Sequence, residues 1–268
     1  QLKDCETVVF VGGISPQLEG EEMPIEISGF KGGDRTNIEL PKVQRNFLKA
    51  LKEAGKKVVF VNCSGSAIAL TPETESCDAI LQAWYPGQEG GEAVARVLFG
   101  EYNPAGKLPV TFYKNSEQLP DFKDYSMKGR TYRYMNDALF PFGYGKSYTS
   151  FKIGDAQLSS CTLKKGEQIK LTIPVSNVGK KDGTEVVQVY VKDPTDTDGP
   201  LKTLKAYQRI EVKAGATAQA VITLDSRNFE LFDAATNTVR AKAGNYEVYY
   251  GNSSADKDLK KIMVNYEY

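Results

Sequence analysis

Two short runs, Val8-Val9-Phe10-Val11 and Val58-Val59-Phe60-Val61, limit the fold more than any other feature of this sequence. Each is apolar at consecutive positions, so each puts hydrophobic side chains on both faces of a strand. Strands of that kind belong inside a parallel sheet covered by helices. The first run, read as strand Thr7–Val11, breaks at Gly12-Gly13; the second spans Lys57–Asn62. Between them Pro41 opens a helix. Val43, Phe47, Leu48, Leu51 and Ala54 fall on one face of it, and Gly55 supplies the stop.

Ala67–Leu70 and Pro72 lie near a short turn. A third strand is expected over Asp78–Trp84. A glycine-rich turn, Tyr85–Gly91, then starts a helix carrying Ala93, Val94, Val97, Leu98 and Phe99, and a further strand is expected over Lys107–Tyr113. This alternation predicts a partial parallel sheet covered by helices, an α/β sandwich. Ligands gather at the carboxyl ends of such strands, where Gly12–Arg35 and Tyr85–Gly91 both fall. So few strands leave apolar edge surface, which is rarely left bare. More sheet is therefore expected upstream of Gln1 in a parent protein or a separate chain. A start at Gln1 rather than Met agrees with a processed or truncated piece.

Residues 116–150 fit neither the strand nor the helix period. They hold Tyr125, Tyr132, Tyr134, Phe140, Phe142, Tyr144 and Tyr148 with Arg130 and Arg133. The stretch is too aromatic for a flexible linker and is expected to be an ordered connector packing across the first domain. Its tyrosines suit either stacking on sugar rings or covering apolar surface. From Phe151 the pattern alternates: Gln168–Val175, Thr184–Lys192, Leu204–Val212, Thr217–Leu224, Asn245–Tyr250 and a closing Ile262–Tyr266, separated by turn residues. That spacing predicts an all-β sandwich of immunoglobulin or fibronectin type III architecture, and the lack of a Cys-Trp-Cys pattern disfavours the immunoglobulin variety. The expected domains are therefore 1–115, 116–150 and 151–268.

The 268 residues contain no histidine, which excludes a Ser-His-Asp or Cys-His catalytic group built from this chain and argues against zinc. No metal and no cofactor are expected. Lys+Arg and Asp+Glu balance at 34 each, so nucleic acid is not an expected partner. No apolar run approaches the ~20 residues of a membrane span. The four cysteines, Cys5, Cys63, Cys77 and Cys161, show no CxxC spacing and allow one disulfide at most without implying a framework. Gly87–Gly91 fits neither GxGxxG nor a P-loop, and Glu89 and Glu92 would repel phosphate. Ser64-Gly65-Ser66 is no nucleophile elbow. Carboxylates, tyrosines, Lys and Arg remain for chemistry, and one loop holds Glu19, Glu21 and Glu22, followed by the turn Gly32–Arg35. A rigid strand ending in such a loop is suited to hold an acid over a substrate; a solvated acidic loop is the other reading.

The blocks Ala83–Gly91, Val97–Gly100 and Asn103–Phe112, then Pro141–Gly145 with Ser147–Thr149, and finally Val175–Gly179 with Asp182-Gly183, occur in order along the chain. Together they make it resemble the C-terminal half of family 3 glycoside hydrolases, in the β-glucosidase and β-xylosidase branch. The resemblance implies a catalytic barrel, then an α/β sandwich, then a fibronectin type III-like domain. It implies a retaining, exo-acting β-glycosidase with an Asp nucleophile on the barrel and a Glu acid/base on the sandwich. The barrel and the first half of the sandwich are missing from this sequence, so the nucleophile is assigned to no residue of it.

Leu18-Glu19-Gly20-Glu21-Glu22-Met23 is similar to the xylosidase-type run in which the second Glu is the acid/base, which points to Glu21. Ten or so extra residues separate the run from Asp34-Arg35, a departure that keeps Glu19 and Glu22 as alternatives. Asp34, Arg35 and Trp84 are carried as substrate-contacting candidates, with an ion-paired brace as the other role for Asp34-Arg35. The implied partner is a β-linked oligosaccharide or glycoside, and the implied location is secreted or periplasmic. A non-catalytic carbohydrate-binding or adhesion module is the alternative reading.

Overall fold

The computed structural model describes residues 2–15, 28–32 and 34–268. They divide into two compact units. The first comprises residues 1–99, 111–129 and 137–140; the second comprises 100–110, 130–136 and 141–268.

The first unit is built on a three-stranded parallel sheet. Its strands are β1 (Thr7–Gly13), β4 (Lys57–Cys63) and β5 (Ala79–Gln82), in the order β1-β4-β5. The two VVFV runs pair in register, Val8 with Val58 through Val11 with Val61. A short hairpin, β2 (Phe30–Lys31) and β3 (Asp34–Arg35), follows β1. Helix α1 (Lys42–Glu53) buries Leu48 and Leu51 against Val58 and Phe60. Phe10 lies 5.5 Å from Phe47 and 5.7 Å from Phe60, ring centroid to centroid. Gly55 ends α1 with φ +73°, its amide donating to Lys52 O. Helix α2 (Thr71–Ser76) stands where the sequence suggested only a turn. It is tied to α1 by Arg45, whose guanidinium grips the buried Glu73 at 2.7 and 3.2 Å.

The expected apolar face of α1 is narrower than the sequence suggested, since Val43 is 76% exposed. The sheet is likewise covered on one side more fully than on the other. Side chains alternate along β1, so Val9 and Val11 point away from Phe10 and α1. They are 49% and 64% exposed. Helix α3 (Gly90–Leu98) has no fully buried residue, and Phe99 beyond it is exposed.

The second unit is a β-sandwich. One sheet has the order β11-β10-β15-β16-β8 and the other β12-β9-β6, with β7 also pairing β9. The ranges are β6 (Phe151–Ile153), β7 (Gln157–Leu158), β8 (Thr162–Lys164), β9 (Gln168–Asn177), β10 (Gly183–Lys192), β11 (Thr203–Val212), β12 (Thr217–Asp225), β15 (Gly244–Gly251) and β16 (Leu259–Glu267). All these pairings are antiparallel except β16 with β8. Alternate residues of β9, from Ile169 to Val175, meet Val187, Val189 and Val191 of β10 and Val248 and Val264 in one core. A small hairpin, β13 (Leu231–Asp233) with β14 (Thr238–Arg240), lies outside the two sheets.

Three sequence expectations are corrected. Lys107–Tyr113 is not a strand. Pro109 has no amide to donate; Leu108 instead pairs with Tyr144 and Gly143, and Phe112 forms a single bridge with Phe140. Strand β5 stops at Gln82, because the backbone turns at Trp84 with φ +58°. The aromatic connector does not pack only on the first domain. Tyr132 stacks on Phe142 at 4.5 Å, meets Tyr190 of β10 edge-on at 5.7 Å, and accepts a hydrogen bond from Leu204 N, all within the second unit.

Candidate active site

The carboxyl ends of β1, β4 and β5 form one rim, at Gly13, Cys63 and Gln82. Gly13 sits at φ +122°, where an L side chain is strained. A Cβ there would lie 2.0 Å from Cys63 O. Gln44 of α1 clamps this residue from the other side: Gly13 N donates to Gln44 Oε1 and Gln44 Nε2 donates to Gly13 O, each at 2.8 Å. Ile14, almost wholly buried, extends the ladder by donating to Cys63 O at 2.8 Å. The chain thus leaves the sheet from a fixed root.

Glu19, Glu21 and Glu22 follow that root within residues 16–27, which lie outside the described residues. The chain returns at Ser28 and enters the β2–β3 hairpin, where Thr36 N donates to Gly29 O at 2.8 Å. Arg35 Nη1 donates to Ser66 Oγ at 3.2 Å, in the loop after β4. Asp34 pairs in register with Lys31 and is exposed. Trp84, half-buried, presents its ring edge to Phe112 at 6.1 Å. Tyr85 lies over Gly65, where a Cβ would come within 2.7 Å of its ring. Of the named candidates, then, Arg35 and Trp84 are held at loops leaving β4 and β5.

A buried amide network that the sequence did not reveal binds the rim together. Asn62 Nδ2 donates to Gln82 Oε1 at 2.6 Å and to Ser64 Oγ at 3.3 Å. Gln82 Nε2 donates to the same hydroxyl at 3.1 Å, and Ser64 Oγ donates to Ser66 O at 2.8 Å. Asn62 and Ser64 are fully buried. The only sequence signal was a polar Asn closing an otherwise apolar strand. The network carries through Ser66 to Arg35, so the β2–β3 hairpin is referenced to the strand ends.

Two carboxylates near this edge are committed to structure. Burial alone would push the Glu39 carboxyl up, but the Ser116 hydroxyl and amide, at 2.6 and 2.9 Å, outweigh it and hold the group below its usual range. Glu73 is engaged at both oxygens by Arg45. A general acid needs the opposite environment, one that raises its pKa.

The described residues thus form an α/β unit with polar groups gathered at its strand ends and, in a separate unit, a β-sandwich. Residues 1–148 match the glycosyl hydrolase family 3 C-terminal domain, and residues 185–254 match a fibronectin type III-like domain. The chain belongs to glycosyl hydrolase family 3. It is 64% identical, over 98% of its length, to a xylan 1,4-beta-xylosidase of Xylanibacter ruminicola, of which it covers 30%. It is 36% identical, over 94% of its length, to a periplasmic beta-glucosidase of Salmonella typhimurium, of which it covers 34%. Among solved structures, a beta-glucosidase from Listeria innocua in complex with isofagomine superposes with a TM-score of 0.80 at 27% identity, covering 100% of this chain and 37% of that one. A GH3 beta-glucosidase from Bifidobacterium adolescentis gives 0.82 at 29% identity, with 98% and 39% covered. The chain therefore spans about a third of the length of the relatives it matches.

Proposed function

We propose that this chain is the acid/base-bearing C-terminal portion of a retaining, exo-acting β-glycosidase that removes terminal sugars from β-xylosides or β-glucosides. The observation that carries the reading is the fixed root of the three-glutamate segment. Gly13, clamped by Gln44, and the Arg35–Ser66 contact hold both flanks of that segment at one sheet edge. The family membership supplies the chemistry. The high identity to a protein named a xylan 1,4-beta-xylosidase favours a xyloside substrate.

A retaining glycosidase uses two carboxyl groups ~5–5.5 Å apart. A carboxylate nucleophile attacks the anomeric carbon while the acid protonates the departing glycosidic oxygen. The acid, now a carboxylate, then takes a proton from water, whose oxygen displaces the nucleophile from the anomeric carbon. We assign Glu21 to the acid/base role, with Glu19 and Glu22 as the alternatives, and place the nucleophile on a barrel N-terminal to this chain. The half-bare side of the sheet, at Val9 and Val11, supports the remainder of an α/β sandwich lying there. Arg35 braces the loop through Ser66, and Trp84 and Asp34 line the sugar's approach. The naming of one relative as periplasmic supports an extracytoplasmic location.

In the full-length protein Glu21→Gln is expected to lower turnover on xylobiose by ~10²–10⁴, the usual worth of a general acid. Loss of turnover in Glu19→Gln or Glu22→Gln, with Glu21→Gln unaffected, would move the assignment to that residue.

A further inference from the structure

Residues 119–127 carry two rings that no described residue of the first unit covers. Phe122 is 91% exposed and Tyr125 is 88% exposed. Side chains of this size are normally buried or engaged when they occur together. Their presentation is built by the backbone. Asp121 Oδ1 accepts from Lys123 N at 2.8 Å, Asp124 N donates to Asp121 O at 2.9 Å, and Asp124 Oδ1 accepts from Ser126 N at 2.8 Å. Two consecutive side-chain-capped turns thus hold the rings outward.

The loop also hangs from the candidate site's own edge. Its root, residues 112–118, touches the connection after each strand of the sheet. Phe112 meets Trp84 beyond β5. Lys114 O accepts from Thr71 Oγ1 at 2.7 Å, beyond β4. Ser116 bonds Glu39 and accepts from Ile38 N at 3.0 Å, beyond β1. The rings alternate with Asp121, Lys123, Asp124 and Ser126, which carry no net excess of either charge large enough to suit a lipid surface or nucleic acid. Flat π faces interleaved with short polar and charged groups suit a ligand that is itself part C–H face and part hydroxyl.

We propose that Phe122 and Tyr125 form a stacking platform for a pyranose ring of a β-linked oligosaccharide, serving sugar units beyond the one cleaved. This rests on the glycosidase reading above and adds a contact surface to it. The test is calorimetric titration of the chain with xylotriose and cellotriose, with α-linked maltotriose as control. The expected result is weak binding of one β-linked trisaccharide and none of maltotriose. Phe122→Ala with Tyr125→Ala should weaken that binding by about 10-fold or more, as loss of two aromatic contacts implies. Tyr125→Trp should keep it, and melting of all variants should stay unchanged because the rings are external. Equal affinity in the double variant, or no binding by the native chain, overturns the proposal. So does a native self-association, seen by sedimentation, that the double variant loses, because that marks a protein contact. The readout is binding, so it separates from the acid assignment. The platform fails on these outcomes even if Glu21→Gln abolishes turnover, and stands even if it does not.

Discussion

Gly13 shows how little of the site's geometry depends on the groups that do chemistry. Its positive φ and its 2.0 Å clearance from Cys63 O admit no side chain. Gly13→Ala should cost roughly 1–3 kcal/mol in backbone strain alone, with the clash in addition. The urea midpoint of the chain should fall accordingly; an unchanged midpoint would mean that the root of the glutamate segment is not fixed. The sequence put the strand's end at Val11 with a break at Gly12-Gly13, but β1 runs on through Gly13, paired with Cys63, because a glycine can hold the positive φ there without leaving the ladder. Gln44 was not legible, since a lone polar residue on a helix gives no hint that its amide reaches back to a strand end. Asn62 and Gln82 were hidden for the same reason: their partners are 20 residues apart and meet only across a parallel pair.

At the scale of elements, the parallel pairing of the two VVFV runs and most of the sandwich strands were readable from periodicity. The failures have local causes. The Lys107–Tyr113 run alternates like a strand, yet Pro109 and a split of partners between Tyr144 and Phe140 prevent a ladder. The β13–β14 hairpin was missed because its two strands are three residues each and Val239 and Phe232 face solvent. What closes it is electrostatic. Arg240 above all, with the buried environment opposing it and Thr236 and Lys242 assisting, holds the Asp233 carboxyl down at about 2. An unfolded Asp titrates near ~3.9, so this group stabilises the fold above that pH and loses its effect as pH falls toward 2. Asp233→Asn should therefore melt lower than the native chain at pH 7, with the gap closing between pH ~4 and ~2. A gap that stays constant across that range would show that the pairing with Arg240 is not what matters.

At the scale of the whole molecule, family membership supplies the chemistry of the proposed function, and the chain covers about a third of each relative. The ordered motif blocks made that family legible before any coordinates. The choice of Glu21 as the acid, with Glu19 and Glu22 as alternatives, was read from the motif. The proposed function puts the nucleophile on a separate barrel, and on that proposal the chain by itself should not hydrolyse 4-nitrophenyl β-xyloside or β-glucoside above buffer rate. Turnover by the purified chain would place both carboxyls within it.

The most direct test of the central claim is the leaving-group dependence of Glu21→Gln in the full-length protein. Protonation matters only where the departing oxygen is a poor leaving group. Xylobiose, whose leaving group is the weakly acidic hydroxyl of a second xylose, should lose ~10²–10⁴ in kcat/KM, whereas 2,4-dinitrophenyl β-xyloside should be cleaved to its glycosyl-enzyme stage at close to the native rate. An equal loss on both substrates, or no loss on xylobiose, would contradict Glu21 as the acid.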